Sequence, residues 1–247
     1  MTIPKVFFQT WKTKELSPVL QSFVDSWKQH NPSYTFHLYD DQSCEKFLEQ
    51  NFPQRIVDAY KNVIPGAFKA DLWRYCVLYI YGGVYSDIDT ICKGSLDTFL
   101  HEGLDFVTPI DLNDNNEGRE WYLFNSFIAA TPKHPILLQC ISRVVANIEF
   151  KHIPQCRMDF AGPGILGQEV NTYLNKPPLT PFPGRAGKHG ELYLLQFHKE
   201  YQLIKDTEGN VLFQNKSGDR MVEQLYENEC RTAGIISWVH SPQIFKV

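Results

Sequence analysis

No stretch of about 18 or more consecutive apolar residues occurs in this sequence, so no membrane-spanning helix is expected. The opening MTIPKVFFQTW lacks a basic segment followed by a long apolar run and a small-residue cleavage site, which argues against a signal peptide. A cytoplasmic location is the expectation that follows. A basic excess is missing too. The formal net charge is −4, where a nucleic-acid binder would show a positive balance or stripe, so no nucleic-acid partner is expected. The six cysteines (Cys44, Cys76, Cys92, Cys140, Cys156 and Cys230) form no C-x-x-C pair, and no His stands at zinc-ligand spacing from them. They read as reduced, mostly buried thiols, and zinc is not expected.

Aromatic residues, by contrast, are plentiful, with 17 Phe, 12 Tyr and 5 Trp among 247 residues. Core packing accounts for such an excess in a chain long enough to bury a real core. Stacking faces for bases and sugar rings are the alternative.

The apolar period at Val19, Leu20, Phe23, Val24 and Trp27 predicts a helix over Pro18–Asn31, between strands at Ile3–Thr10 and Tyr34–Tyr39. Asp40-Asp41 offers an N-cap for a helix to about Phe52, and Pro53–Val63 is a further short helix. This β-α-β opening suits an α/β nucleotide-binding domain. A helix over Ala67–Tyr81 is stopped by Gly82-Gly83. Strands are expected at Phe106–Pro109 and Phe124–Ala130, separated by the polar loop Asp111–Glu120, and helices at His134–Phe150 and from Gly162 to about Leu174. The Pro- and Gly-rich Asn175–Gly190 reads as irregular surface loop. Strands at Leu192–His198, Tyr201–Lys205 and Val211–Gln214 precede a helix at Asp219–Thr232 and a last strand at Ile235–Val239. Without a repeat or linker, a single domain over residues 1–247 is expected.

The chemistry concentrates in Lys69–Ile91, KADLWRYCVLYIYGGVYSDIDTI. A strand ending in Asp87-Ile88-Asp89 would turn Ile88 into the core and put both carboxylates on one side. Two such carboxylates repel and raise a pKa unless a cation compensates. Mg²⁺ or Mn²⁺, with phosphate oxygens and waters completing its shell, fits the pair and would neutralise a leaving diphosphate. A bare D-x-D arises by chance in many proteins, so its neighbours matter. Asp71 and Arg74 share one helix face at i and i+3. On a surface such a pair would contribute roughly 0–1 kcal/mol. This helix is apolar around nearly its whole circumference, which points the pair into a functional cleft, Asp71 holding sugar hydroxyls and Arg74 orienting Asp71 or reaching the sugar or phosphate.

The opening IPKVFFQTW and the run ADLWRYCVLYIYGGVYSDIDT resemble the D-x-D-containing glycosyltransferases of family 32. That family includes fungal initiating mannosyltransferases, bacterial capsule sugar transferases and α-galactosyltransferases of glycolipid synthesis. The large clostridial glucosylating toxins share its core pattern. The likeness is strongest over residues 3–11 and 66–92, with weaker echoes at Asn125–Pro135 and Gly162-Pro163.

The resemblance implies an α/β fold of the GT-A type, a single Rossmann-like domain with a mixed central sheet flanked by helices. It implies metal-dependent, retaining transfer of a hexose from a UDP- or GDP-sugar to a glycan, glycolipid or protein-linked hydroxyl. Carried over by position, Asp87 and Asp89 match the metal- and diphosphate-binding pair, and Asp71 and Arg74 the donor-sugar contacts. Tyr85 would sit near the ribose or diphosphate, and Asn125 near the sugar or acceptor. Gln9, Thr10 and Trp11 fall where the first strand meets the nucleotide, with Trp11 placed to stack on a base. A third metal ligand from a late loop would be His240 or His198, and Trp238 either contacts the diphosphate or belongs to the core.

The resemblance also implies front-face attack by the acceptor hydroxyl, and no second acidic motif stands out as the nucleophile that double displacement would need. A lipid-linked acceptor would be met through peripheral contact at a membrane surface. Two other readings compete. A haloacid-dehalogenase-type phosphatase would use Asp87 as nucleophile and Asp89 as acid/base, but Ile91 replaces the expected Thr, and Gly82-Gly83 and Ser86 interrupt the apolar run before Asp87. A non-catalytic sugar-nucleotide-binding protein would leave four clustered charges without a task.

Overall fold

Phe7, Phe8 and Gln9 are all buried, so the first strand, β1 (Val6–Thr10), is covered on both faces. The structure is a computed structural model and describes residues 2–112, 118–182, 186–198, 202–215, 219–235 and 241–246. β1 runs parallel to β2 (Thr35–Tyr39) on one side and to β3 (Gly83–Ser86) on the other. β3 pairs antiparallel with β6 (Phe127–Ala130), β6 antiparallel with β5 (Phe106–Pro109), and β5 parallel with β8 (Leu192–His198). The end of β8 continues into an antiparallel extension of β9 (Leu203–Lys205), β10 (Val211–Asn215) and β4 (Thr90–Cys92). The resulting order is β2-β1-β3-β6-β5-β8-β9-β10-β4, the mixed sheet that was expected.

Helices cover both faces. α1 (Pro18–His30) begins on a Ser17 cap and sends Trp27 against Phe7, Phe127 and Phe213. α2 (Asp41–Asn51) is held by a capping box in which the Asp40 carboxylate accepts from the Ser43 N–H at 2.8 Å. α3 (Gln54–Asn62) leads to α4 (Gly66–Tyr81), which lies on the opposite face with Trp73 packed against Phe8, Tyr39 and Phe47. Phe68 and every residue from Asp71 to Leu78 of α4 are buried, the two charged ones included. α5 (Pro135–Glu149) packs along α4, α6 (Pro163–Tyr173) packs on α5, and α7 (Arg220–Thr232) sits at the edge beside α1. Among the described residues no helix is long and apolar enough to cross a membrane.

The Gly82-Gly83 stop behaves as its sequence predicts, for a reason of backbone geometry. Gly82 and Gly83 adopt φ of +64° and +93°, reversing the chain from α4 into β3 in the left-handed region that only glycine enters without strain.

The structure departs from the expected elements at several points. β3 ends at Ser86, so Asp87-Ile88-Asp89 is a turn rather than the end of a strand. The chain then enters β4, whose partner β10 lies far along the sequence and which no local pattern announced. Within the loop read as irregular, Gly187–His189 forms a short strand, β7, against β8. β1 and β6 are also shorter than expected at their N-terminal ends. The last strand expected at Ile235–Val239 falls almost wholly outside the described residues.

Candidate active site

The acidic turn sits where the chain leaves the main sheet at Ser86 and joins the antiparallel extension at Thr90. Its backbone is fixed by partners distant in sequence. The Asp87 N–H donates to the Ser126 carbonyl at 2.8 Å, and the Thr90 hydroxyl donates to the Asp87 carbonyl at 2.6 Å. Ser86 and Thr90 hydroxyls lie 2.8 Å apart, and Trp27 Nε1 donates to Thr90 Oγ1 at 3.1 Å. Gln9 Nε2 reaches the same Asp87 carbonyl at 3.4 Å. Ile88 does enter the core, packing with Leu20, Phe23 and Val24 of α1. A tight turn, not strand alternation, therefore sets the two carboxylates side by side.

Arg74 links this turn to the central helix. Its Nη2 stands 3.1 Å from Asp71 Oδ1 and 3.1 Å from Asp87 Oδ1, and its Nη1 donates to the Asn125 carbonyl. The guanidinium lies over the Tyr85 ring, 4.6 Å from the centroid, and the Tyr85 hydroxyl donates to Asp87 Oδ1 at 2.8 Å. Asn125 Nδ2 donates to Asp71 Oδ1 at 2.8 Å. Asp71, Arg74, Tyr85, Asp87 and Asn125 thus form one connected network, with Asp89 adjoining it electrostatically.

One guanidinium serves both Asp71 and Asp87. Burial pushes the Asp87 carboxyl up to about 6; Arg74 opposes the shift and Asp89 adds to it. Burial likewise raises Asp71, against Arg74 and the Asn125 hydrogen bond. Burial works against the Arg74 charge, but Asp87, Tyr85 and Asp71 outweigh it and hold the guanidinium protonated.

The other expected positions fall around this network. Thr10 Oγ1 lies 3.4 Å from the Tyr85 hydroxyl. Trp11 packs on Tyr226 of α7, ring centroids 5.9 Å apart, beside the Ile88 cluster. His198 ends β8 opposite Leu203. Trp238 and His240 lie outside the described residues. Among the described residues no group of three or more His, Cys, Asp and Glu side chains is arranged to hold a metal ion.

Two neighbours escaped the sequence reading as site residues. Gly162, the N-cap of α6, leaves room that a Cβ would take from Asp71 Oδ2 and Asn125 Nδ2, at 3.2 and 3.5 Å. The Gly162-Pro163-Gly164 run was its available signal. Tyr226 has its hydroxyl pKa raised well above the usual value by burial and then by Asp89, which sets it beside the acidic turn. Nothing local in the α7 sequence marks it.

Comparison with known proteins bears on the same segment. The family model described as "Glycosyltransferase sugar-binding region containing DXD motif" matches residues 17–104. Inositol phosphoceramide mannosyltransferase 2 of Schizosaccharomyces pombe is 37% identical over 184 residues, covering 71% of this chain and 49% of that protein. The initiation-specific alpha-1,6-mannosyltransferase of Candida albicans is 27% identical over 207 residues, covering 70% and 53%. The chain spans about half the length of these relatives. Among solved structures, the PaToxG glycosyltransferase aligns with a TM-score of 0.53 and 22% identity over 70% of each chain. The UDP-bound glycosyltransferase domain from the YGT toxin aligns with a TM-score of 0.50 and 9% identity over 98% of this chain and 92% of that one. These structural likenesses show the fold.

Proposed function

The chain belongs to the glycosyltransferases that carry a DXD sugar-binding region, and from that premise we propose that it transfers a hexose from a nucleoside-diphosphate sugar to an acceptor hydroxyl. The names of its relatives support mannose as the first sugar to test and a glycan or glycolipid as the acceptor class. One observation carries the reading: Arg74 is held between the helix carboxylate Asp71 and the turn carboxylate Asp87, so the two candidate subsites share one ionic centre.

The donor set fits a divalent cation. Asp87 and Asp89 are hard oxygen ligands beside each other, and burial, with the Asp89 charge adding to it, raises the Asp87 pKa against Arg74, a cost that a bound cation would offset. Bound there, Mn²⁺ or Mg²⁺ would neutralise charge growing on the leaving diphosphate. Asp71, oriented by Asn125 and Arg74, accepts hydrogen bonds from hydroxyls of the donor sugar. Arg74 keeps Asp71 and Asp87 apart in role while holding both in place. Tyr85 supports the guanidinium from below and steadies Asp87 through its hydroxyl. Trp11, Gln9 and Thr10 form the wall toward the nucleotide. The acceptor hydroxyl attacks from the face the diphosphate leaves, and the departing phosphate takes its proton, so configuration is retained.

A thermal-shift panel of UDP- and GDP-sugars, each with and without Mn²⁺, tests this. Ligand that binds only the folded chain raises its melting temperature. A shift that needs one nucleotide sugar together with Mn²⁺, and that is lost in Asp89→Ala, is the expected result. A donor shift of the same size in EDTA would remove the cation from the site.

A further inference from the structure

The end of the sheet that carries the acidic turn also carries the most exposed large apolar side chain. Phe150 is 80% exposed and Ile153 55%. Their placement follows from the topology. β6 runs from Phe127, opposite Ser86, to Ala130, opposite Gly83, and so away from the site. α5 starts at that far end, where the Lys133 N–H donates to the Tyr79 carbonyl of α4. It then returns over a length of about 22 Å. Near its C-terminus Asn147 Nδ2 donates to the Phe160 carbonyl at 2.8 Å, and Phe160 packs on Phe68 in the first turn of α4. Two residues on, Gly162 lies against Asp71. Phe150 therefore emerges at the site end.

The tip has a defined shape. Lys151 adopts φ +50°, and the N–H groups of Phe150, Lys151 and His152 donate to the carbonyls of Ala146, Ile148 and Asn147. Phe150, Lys151, His152 and Ile153 are all exposed. From Phe150 to Met158 the sequence FKHIPQCRM holds Lys151 and Arg157 and no carboxylate, and the carboxylates that bound it, Glu149 and Asp159, are paired with Arg55 and Arg119. An exposed apolar pair with Lys151 between its members matches a surface with an apolar interior and an anionic face.

We propose that Phe150–Ile153 is an interfacial anchor for an anionic lipid surface, turning the site end of the sheet toward the bilayer. Presentation of the site to an acceptor there rests on the transferase reading; the lipid contact does not. The full chain is sedimented with vesicles of phosphatidylcholine containing about 30% phosphatidylserine, and with phosphatidylcholine alone. Binding to the anionic vesicles, weakened by salt and about tenfold lower in Phe150→Ser/Ile153→Ser, is expected. Lys151→Glu should weaken binding to the anionic vesicles selectively. The substituted side chains are exposed, so the melting temperature should not move. Vesicle binding without any donor-dependent thermal shift would keep the anchor and remove the transferase reading. Absence of binding by the natural sequence, or equal binding by Phe150→Ser/Ile153→Ser, overturns the proposal.

Discussion

Arg74 Nη2 lies 3.1 Å from Asp87 Oδ1, although a helix end and a whole strand separate the two in sequence. The contact makes α4 and the acidic turn one electrostatic unit, because the same nitrogen stands 3.1 Å from Asp71. A buried guanidinium so shared is hard to replace. Lysine keeps the charge but has no planar fork to reach Asp71, Asp87 and the Asn125 carbonyl while stacking on Tyr85.

Arg74→Lys should therefore fold and lose turnover by about 100-fold, the scale set by misplacing groups at a reacting centre. Arg74→Ala leaves two carboxylates without their partner and should cost about 3–5 kcal/mol in chemical denaturation. Sugar transfer by Arg74→Lys at the natural rate would show that the shared ionic centre is only structural.

Asp87 gives a pH signature. Its folded pKa of about 6 lies above the ordinary 3.8, so the folded chain retains a proton that the unfolded chain gives up between those values. The stability this group contributes is full below pH 3.8 and lost as pH rises through 6. Without divalent cation, Asp87→Asn should melt above the natural protein at neutral pH, and the difference should shrink toward pH 4. In the proposed cation site protons and Mn²⁺ would compete for the Asp87 oxygens, so Mn²⁺ affinity measured by calorimetry should fall about tenfold per pH unit below 6. Affinity that is flat across this range would take Asp87 out of the cation site.

Gly83 tests the scaffold rather than the chemistry. At φ +93°, a Cβ would stand 2.4 Å from Val6 Cγ1 and 2.5 Å from the Val6 carbonyl. β3 could relieve that clash only by moving off β1, which would carry Tyr85 and the acidic turn with it. Gly83→Ala should lose about 3 kcal/mol of stability and weaken donor binding in parallel. A fully stable Gly83→Ala would mean that β1 and β3 separate more easily than their register implies.

Much of this was readable in the sequence, and the reasons differ by element. α1, α2 and α4 announced themselves through apolar spacing, the Asp40 cap and the glycine stop, all local signals. Asp71, Arg74 and Asp87 were legible as candidates because their motif is long, and Asn125 through a weaker echo of the family pattern. Their arrangement was not, since the Asp87 turn is fixed by Ser126 and Arg74 by the Asn125 carbonyl, contacts that no window of sequence contains. β4 stayed hidden for the same reason: three residues acquire strand character from β10. Tyr226 reaches the site only because α7 packs beside α1.

Gly162 bears on which sugars the pocket admits. Its missing side chain leaves the approach to Asp71 Oδ2 open, the one carboxylate oxygen of Asp71 that neither Arg74 nor Asn125 engages through the contacts described. A methyl group at 3.2 Å from that oxygen would crowd hydroxyls that Asp71 is proposed to hold, while leaving Asp87 and Asp89 untouched. Gly162→Ala should raise KM for the nucleotide sugar by about tenfold, a loss of the order of one hydrogen bond. Binding of the free nucleoside diphosphate with Mn²⁺ should stay near its natural value, because the proposed arrangement places that half of the ligand at Asp87 and Asp89 rather than at Asp71. Isothermal titration of both ligands separates the outcomes. Equal weakening of the two would place Gly162 in the scaffold of the site, and unchanged binding of both would put the sugar elsewhere than at Asp71.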